Sequence, residues 1–92
     1  MGKKRRRFDV VSEKVEVKSE AGLHARPASN FVNTAQRYKS DVKLTVNNKT
    51  VDGKSILGIL SLGIAKGTEI EITVSGPDEQ EALAALIPVV QS

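Results

Sequence analysis

Short segments in which apolar and polar residues alternate constrain the fold of this chain more than any other feature of its sequence. Alternation predicts half-buried β-strands at residues 13–18, 41–46 and 69–74, because successive side chains of a strand point to opposite faces. The inward-facing residues of these segments are Val15, Val17, Val42, Leu44, Val46, Ile70, Ile72 and Val74. The turn signal Asn47-Asn48 predicts that residues 49–51 return as a short fourth strand, which completes a hairpin.

Between the first two predicted strands, apolar residues recur at the spacing of a helix. These residues are Ala28, Phe31, Val32 and Ala35. They predict a helix over about residues 24–37, with Pro27 in the first turn, where a backbone N–H has no helical partner. Ser55 is a favourable N-cap for a second, short helix over residues 56–61, and Gly63 is a suitable stop.

A third helix follows the last strand. Its predicted start is Gly76-Pro77-Asp78-Glu79, and its predicted buried stripe consists of Ala82, Leu83, Leu86 and Ile87. Asp78, Glu79 and Glu81 are interpreted as charges at the positive end of this helix and on its solvated face. We expect Pro88 to end the helix, because proline cannot donate a helical hydrogen bond.

The predicted order of elements is β-α-β-β-α-β-α, within a single α+β domain. Alternating strands suggest an antiparallel sheet with one wet face, so the helices would cover the other face and form a two-layer sandwich. The chain of 92 residues is long enough for one small domain. Residues 1–12 are expected to form a basic, disordered N-terminal extension, and residues 13–92 the domain.

Charge and composition narrow the function classes. Residues 3–7 supply 5 of the 14 Lys and Arg residues, which leaves 9 basic residues against 11 acidic ones and a net charge of −2 for residues 8–92. That body has no basic excess to bind nucleic acid specifically, and aromatic residues make up only 3%. No run approaches the ~18 apolar residues of a membrane span. The lack of Cys fits a reducing cytoplasm and, with one His, makes a metal site improbable.

The segment Gly22-Leu23-His24-Ala25-Arg26-Pro27-Ala28 carries the only histidine. Its position at the entry to a helix suits a phosphoryl group, because the first helical N–H groups are unpaired and the helix dipole is positive there. Arg26 adds charge-assisted hydrogen bonds to phosphoryl oxygens, and an imidazole is an established nucleophile. Taken alone, this short pattern favours an ordinary helix cap over a phosphorylation site, because short motifs often occur by chance.

Three ordered motifs resemble the HPr family, the histidine-containing phosphocarriers of the bacterial phosphotransferase system. They are the histidine segment at residues 22–28, Lys54-Ser55-Ile56-Leu57-Gly58-Ile59-Leu60-Ser61-Leu62-Gly63, and the helix start at residues 76–82. The resemblance spans residues 13–87 and implies an open-faced β-sandwich with sheet order 1-4-2-3. Ala25 after His24, and Ile56-Leu57 after Ser55, are similar to the form found in Gram-positive bacteria.

The resemblance implies a relay rather than an enzyme. His24 would accept a phosphoryl group at Nδ1 from enzyme I, which takes it from phosphoenolpyruvate, and pass it to the IIA domain of a sugar permease. Arg26 would stabilise the phosphoryl group, and Pro27 would shape the turn into the helix. The expected protein is a cytoplasmic monomer without a cofactor, membrane span or specific nucleic-acid partner.

The second motif implies regulation and docking. In the Gram-positive form, the serine at the place of Ser55 is phosphorylated by HPr kinase/phosphorylase, and the modified protein binds a catabolite-control transcription factor. Apolar residues of a short helix usually belong to the core, but the resemblance implies an exposed docking surface at Ile56, Leu57 and Leu60.

Two other functions stay open at this stage. One is a purely regulatory module of the same fold that acts through phosphorylated Ser55. Such paralogues typically lack the active histidine, so His24 argues against this role. The other is non-specific attraction of the basic head at residues 3–7 to nucleic acid or an anionic membrane.

Overall fold

A four-stranded antiparallel sheet organises the structure, a computed structural model that describes residues 10–20 and 22–91. The strands are β1 (Val10–Glu16), β2 (Asp41–Val46), β3 (Lys49–Asp52) and β4 (Glu69–Ser75), in the spatial order β1-β4-β2-β3. The helices are α1 (Ala25–Ala35), α2 (Ile56–Leu60) and α3 (Glu79–Gln91). The element order, antiparallel pairing and sheet order confirm the predicted open-faced β-sandwich.

Alternation along the strands produces the two faces of the sheet. In β4, Ile70, Ile72 and Val74 are buried, whereas the residues between them lie on the opposite, polar face. Val74 lies opposite Val42 of β2, and Ile72 lies opposite Leu44, so one apolar layer runs across adjacent strands. The helices pack on this layer. Their fully buried residues include Ala28, Phe31 and Ala35 of α1, and Ala82, Leu86 and Val90 of α3.

The hairpin between β2 and β3 follows the predicted turn. Asn47 has φ of 51° and Asn48 has φ of 70°, so both residues occupy the left-handed region that a mirror-image two-residue turn requires. Asparagine tolerates this conformation better than most residues, because its short polar side chain bonds locally. The turn sets Val46 opposite Lys49 and Leu44 opposite Val51.

The predicted span of the first strand was wrong. β1 begins at Val10, three residues before the predicted start, and ends at Glu16. Val10 and Val11 lie opposite Ser75 and Val74, so the ladder with β4 extends into the segment that the sequence assigned to the N-terminal extension. Two adjacent valines do not alternate, and for this reason periodicity missed them. The rest of that extension, residues 1–9, lies outside the described residues.

The prediction that Pro88 ends the last helix was also wrong. α3 continues to Gln91, with Pro88 inside it and exposed. Pro88 has no N–H to donate to the carbonyl of Ala84. Ala84 is exposed, so water can donate a hydrogen bond to this carbonyl instead. Burial of Leu86 and Val90 on the sheet holds the helix in place on both sides of the proline.

No helix among the described residues is long and apolar enough to cross a bilayer.

The acidic residues at the start of α3 are not simply solvated charges. The Asp78 carboxylate accepts hydrogen bonds from the Ser40 hydroxyl (2.5 Å), the Ser40 N–H (3.0 Å) and the Lys39 N–H (2.9 Å). Glu79 is buried, and its carboxylate accepts from the N–H of Gly76 at 3.0 Å, as in a capping box. Asp78 therefore connects the start of α3 to the chain just after α1.

These hydrogen bonds predict an acid-sensitive contribution of Asp78 to stability. The Ser40 hydroxyl, followed by the Lys39 N–H, lowers the pKa of the Asp78 carboxyl below its ordinary value. A carboxyl with a lowered pKa in the folded state stabilises the fold above its unfolded pKa, and this contribution is lost as the pH falls through the folded pKa. We therefore expect Asp78→Asn to lower the melting temperature at pH 7, with a gap to wild type that narrows below about pH 4.

Thermal unfolding from pH 7 to pH 3 tests this expectation. Glu81→Gln is the matched control, because Glu81 lies in the first turn of α3, three residues after Asp78, and is exposed. A gap between Asp78→Asn and wild type that stays constant over this range would contradict the assignment.

Candidate functional site

The only histidine of the sequence lies at the N-cap of α1. Its backbone is extended, with φ of −80° and ψ of −162°, and its carbonyl accepts the first helical hydrogen bond from the Ala28 N–H at 2.9 Å. The side chain is exposed and does not cap the helix. Within residues 10–20 and 22–91, the imidazole has no hydrogen-bond partner, so both of its ring nitrogens are accessible to another molecule.

The start of α1 offers positive charge next to His24. The N–H groups of Ala25 and Arg26 have no partner in the described part of the chain, and Pro27 has no N–H. The helix dipole adds roughly half a positive charge at this end. Arg26 is exposed and forms no ion pair with a described residue, so its guanidinium is available to an anion. The predicted residues His24, Arg26 and Pro27 thus share one exposed helix start.

The loop that carries His24 is fixed by the loop between α2 and β4. The N–H of Leu23 donates to the carbonyl of Ile64 at 3.0 Å, and the Leu23 side chain is buried. Gly22 has φ of +67°, and a Cβ there would overlap the Ile64 carbonyl oxygen and approach the Ala65 Cα to 2.8 Å. Only glycine fits such a close approach in this conformation, so Gly22 allows the two loops to pack backbone to backbone.

A cleft of about 280 Å³ lies beside His24. The residues around it include Glu20, Leu23, His24, Leu60, Ile64 and Lys66. The Lys66 ammonium forms an ion pair with the Glu20 carboxylate, with an N–O distance of 2.7 Å. Sequence reasoning missed both residues, because 46 positions separate them and neither belongs to a local motif.

Ser55 is the N-cap of α2, as predicted. Its hydroxyl oxygen accepts a hydrogen bond from the Gly58 N–H at 3.0 Å, and the residue is half-buried. This hydrogen bond confirms the predicted capping role. Ser55 does not border the cleft beside His24.

Three of the four large apolar residues of α2 are exposed. Leu57 exposes 80% of its surface, Ile56 39% and Leu60 37%, whereas Ile59 is fully buried. This finding shows that Ile56, Leu57 and Leu60 do not belong to the core, whereas their role in partner docking stays a prediction. We refer to them as the α2 apolar surface. Leu60 also borders the cleft beside His24, which makes this surface continuous with the histidine.

An accessible imidazole at a helix start, next to an exposed apolar surface, is the arrangement that the resemblance to a phosphocarrier domain predicts. The family comparison agrees. Residues 11–92 match the family model described as the PTS HPr component phosphorylation site, and the chain belongs to the HPr family of the phosphotransferase system. The sequence-based assignment to this family is thereby confirmed.

Individual relatives support the same assignment. The chain is 49% identical over 82 residues to the HPr-like protein Crh of Bacillus subtilis, covering 89% of this chain and 96% of Crh. The crystal structure of the phosphocarrier protein HPr from Bacillus anthracis superposes with a TM-score of 0.86 at 46% identity, covering 89% of this chain and 98% of the other. A crystal structure of B. subtilis Crh, described as a dimer with a swapping domain, has a TM-score of 0.71 at 49% identity and covers 87% and 92% of the two chains.

Proposed function

We propose that this chain accepts a phosphoryl group on His24 from enzyme I and passes it to a sugar-specific IIA domain. The observation that carries this proposal is the His24 side chain, which is exposed and unbonded among the described residues, at the N-cap of α1. A carrier must offer the same atom to two successive partners, and an imidazole buried in a pocket or bonded within the fold could not do so.

The chemical step is a substitution at phosphorus. The lone pair of an imidazole nitrogen of His24, Nδ1 in the family, attacks the phosphorus atom carried by enzyme I. A P–N bond forms as the bond to the donor breaks, and its electron pair remains on the donor. The reverse substitution delivers the phosphoryl group to the IIA domain. No atom is oxidised or reduced, and the chain leaves the cycle unchanged.

The start of α1 supplies the electrostatic support for this step. The free N–H groups of Ala25 and Arg26, the helix dipole and the Arg26 guanidinium all favour negative charge close to His24. Pro27 fixes the backbone of the first turn and removes an N–H that would otherwise need a partner. These groups bind and orient the phosphoryl group, and they do not take up protons.

Incubation of the chain with enzyme I, Mg²⁺ and phosphoenolpyruvate, followed by intact mass measurement, tests the proposal directly. We expect one added phosphoryl group that is lost in acid and transferred when a IIA domain is added. A folded sample that gains no phosphoryl group would overturn the proposal and favour the regulatory module described next.

A second role, regulation of carbon catabolite repression, is proposed for Ser55. It is supported by the 49% identity to Crh, whose crystal structure is described as that of a catabolite repression protein. HPr kinase/phosphorylase would phosphorylate Ser55, and the modified chain would bind a catabolite-control transcription factor. A phosphate fits at the Ser55 position, because it stands at the positive end of α2 and can accept the Gly58 N–H.

Phosphorylation of Ser55 is expected to slow phosphoryl acceptance by His24 at least about tenfold. The added charge of about −2 would lie beside the α2 apolar surface and repel an acidic or phosphorylated partner that docks there. The rate of phosphorylation by enzyme I should therefore fall in chains that carry phosphoserine at position 55, and to a smaller extent in Ser55→Asp.

Ser12→Asp is the control for added charge, because Ser12 is exposed on β1, on the face of the sheet away from the helices. Ser55→Ala controls for loss of the cap, which costs about 1 kcal/mol of stability. Equal rates for phosphorylated and unmodified chains would refute the regulatory effect on His24.

The remaining expectations complete the proposal. We propose a monomer in the cytoplasm with a basic N-terminal extension that takes no part in phosphoryl transfer. Every strand of the described fold finds its partner within the chain, which supports a monomer, although the related Crh structure is a dimer. The lack of Cys supports a reducing compartment, and the net charge of −2 for residues 8–92 argues against specific nucleic-acid binding.

A further inference from the structure

The ion pair beside His24 has no role in the mechanism above, yet its position is well defined. Glu20 belongs to the loop that carries the histidine, and Lys66 belongs to the loop between α2 and β4. Both residues border the same cleft as His24, and among the described residues that line it they are the two with formal charges. The cleft therefore holds one cation, one anion and the proposed phosphoryl acceptor.

Backbone contacts fix the two loops against each other. The Gly67 N–H donates to the carbonyl of Val17 at 2.8 Å, and the Val17 N–H donates to the carbonyl of Thr68 at 2.9 Å. With the bond between Leu23 and Ile64, these contacts hold the segment around Lys66 on both sides. The position of the Lys66 backbone relative to His24 is thus set by the fold.

The pair itself is exposed and therefore easy to separate. The side chain of Lys66 exposes 52% of its surface, and that of Glu20 exposes 90%. Solvent-exposed ion pairs contribute little to stability, and their partners exchange readily. A phosphoryl group on His24 would bring about two negative charges to the cleft, which would attract the Lys66 ammonium and repel the Glu20 carboxylate.

We propose that Lys66 is a counter-ion for the phosphorylated state of His24 and that Glu20 restrains it in the unphosphorylated state. This inference rests on the proposed carrier function of His24. Lys66 stabilises the phosphorylated chain, whereas Glu20 destabilises that chain by like charge and by competition for the ammonium. The pair thereby sets how tightly the carrier retains its phosphoryl group, which has to be given up to the next partner.

The proposal predicts that substitutions of Lys66 and Glu20 have opposite effects on the phosphorylation equilibrium. This contrast distinguishes it from a purely structural role of the ion pair. Lys66→Gln should favour the unphosphorylated chain, and Glu20→Gln should favour the phosphorylated chain, each by roughly two- to fivefold, as expected for exposed charges. If the ion pair only held the loops together, either substitution would break the same contact and both would shift the equilibrium in the same direction.

A competition for phosphoryl groups measures these effects. Equal amounts of ¹⁵N-labelled wild type and an unlabelled variant are incubated with catalytic enzyme I, Mg²⁺ and less phosphoenolpyruvate than total chain. Enzyme I then exchanges phosphoryl groups between the chains, so one P–N bond forms for each that breaks. Intact mass gives the exchange constant, defined as the ratio of phosphorylated to free variant divided by the same ratio for wild type.

We expect an exchange constant of about 0.2–0.5 for Lys66→Gln and about 2–5 for Glu20→Gln, with both approaching 1 in high salt. Lys43→Gln and Glu81→Gln, which remove the same charges from the open sheet face and from α3, should stay near 1. Constants near 1 for both test variants, or shifts in one direction, would overturn the inference. Failure of the labelled wild type to accept any phosphoryl group would instead refute the proposed carrier function.

Discussion

Replacement of His24 by alanine is expected to abolish phosphoryl acceptance from enzyme I. No other histidine and no cysteine occurs in the sequence, so no equivalent nucleophile can replace the imidazole. The rest of the site, including the free N–H groups at the start of α1, remains in the variant. These groups bind charge but cannot form the bond to phosphorus. Intact mass after incubation with enzyme I and phosphoenolpyruvate should therefore show unmodified variant only.

The same substitution should leave the fold intact. The His24 side chain is exposed and makes no capping hydrogen bond, so its loss should change stability by no more than about 0.5 kcal/mol. A melting temperature close to that of wild type is the control that separates loss of the nucleophile from loss of structure. An acid-labile phosphoryl group on His24→Ala would contradict the assignment of the carrier residue.

Local patterns in the sequence predicted the central part of the fold. β2 was predicted at its observed bounds and β4 to within one residue, because each alternates cleanly between a buried and an exposed face. Two of the predictions that were wrong concern the first strand and the last helix. Adjacent valines at the start of β1 and a proline inside α3 break the local rule, and in both places tertiary packing outweighs it.

The candidate site was predictable only where it is local. His24, Arg26 and Pro27 stand within four positions, and the helix-start pattern is visible in the sequence. The ion pair of Glu20 and Lys66 depends on two loops that approach through Gly22, and no periodicity reports such a contact. Loop-to-loop contacts of this kind need the assembled sheet, which brings distant segments together.

The exposure of the α2 apolar surface could not be predicted from hydrophobic spacing, and only the family resemblance indicated it. α2 has only five residues, fewer than two turns, so hydrophobic spacing cannot separate a buried face from an exposed one. In the structure, Ile59 alone of its large apolar residues reaches the core. The exposed remainder borders the histidine cleft through Leu60, and we expect a partner that approaches His24 to dock on it.

Leu57→Asp is accordingly expected to weaken the complex with enzyme I by about 2 kcal/mol, or roughly 30-fold in affinity. Leu57 is the most exposed large apolar residue among those described, at 80%, so a partner would desolvate most of its surface on binding. A carboxylate in its place would lose that contact and be desolvated itself. Titration calorimetry and the KM for the chain as substrate of enzyme I measure the effect.

Folding should be nearly unaffected by Leu57→Asp, because the side chain lies outside the core and an acidic residue in the first turn of α2 is compatible with the helix dipole. Ile59→Ala provides the contrast within the same helix and should cost about 2–5 kcal/mol of stability. Val10→Asp, on another apolar residue that is 46% exposed but belongs to β1, should leave binding unchanged. A melting temperature of Leu57→Asp as low as that of Ile59→Ala would make Leu57 a core residue. Equal losses of binding in Leu57→Asp and Val10→Asp would show that α2 is not the docking surface.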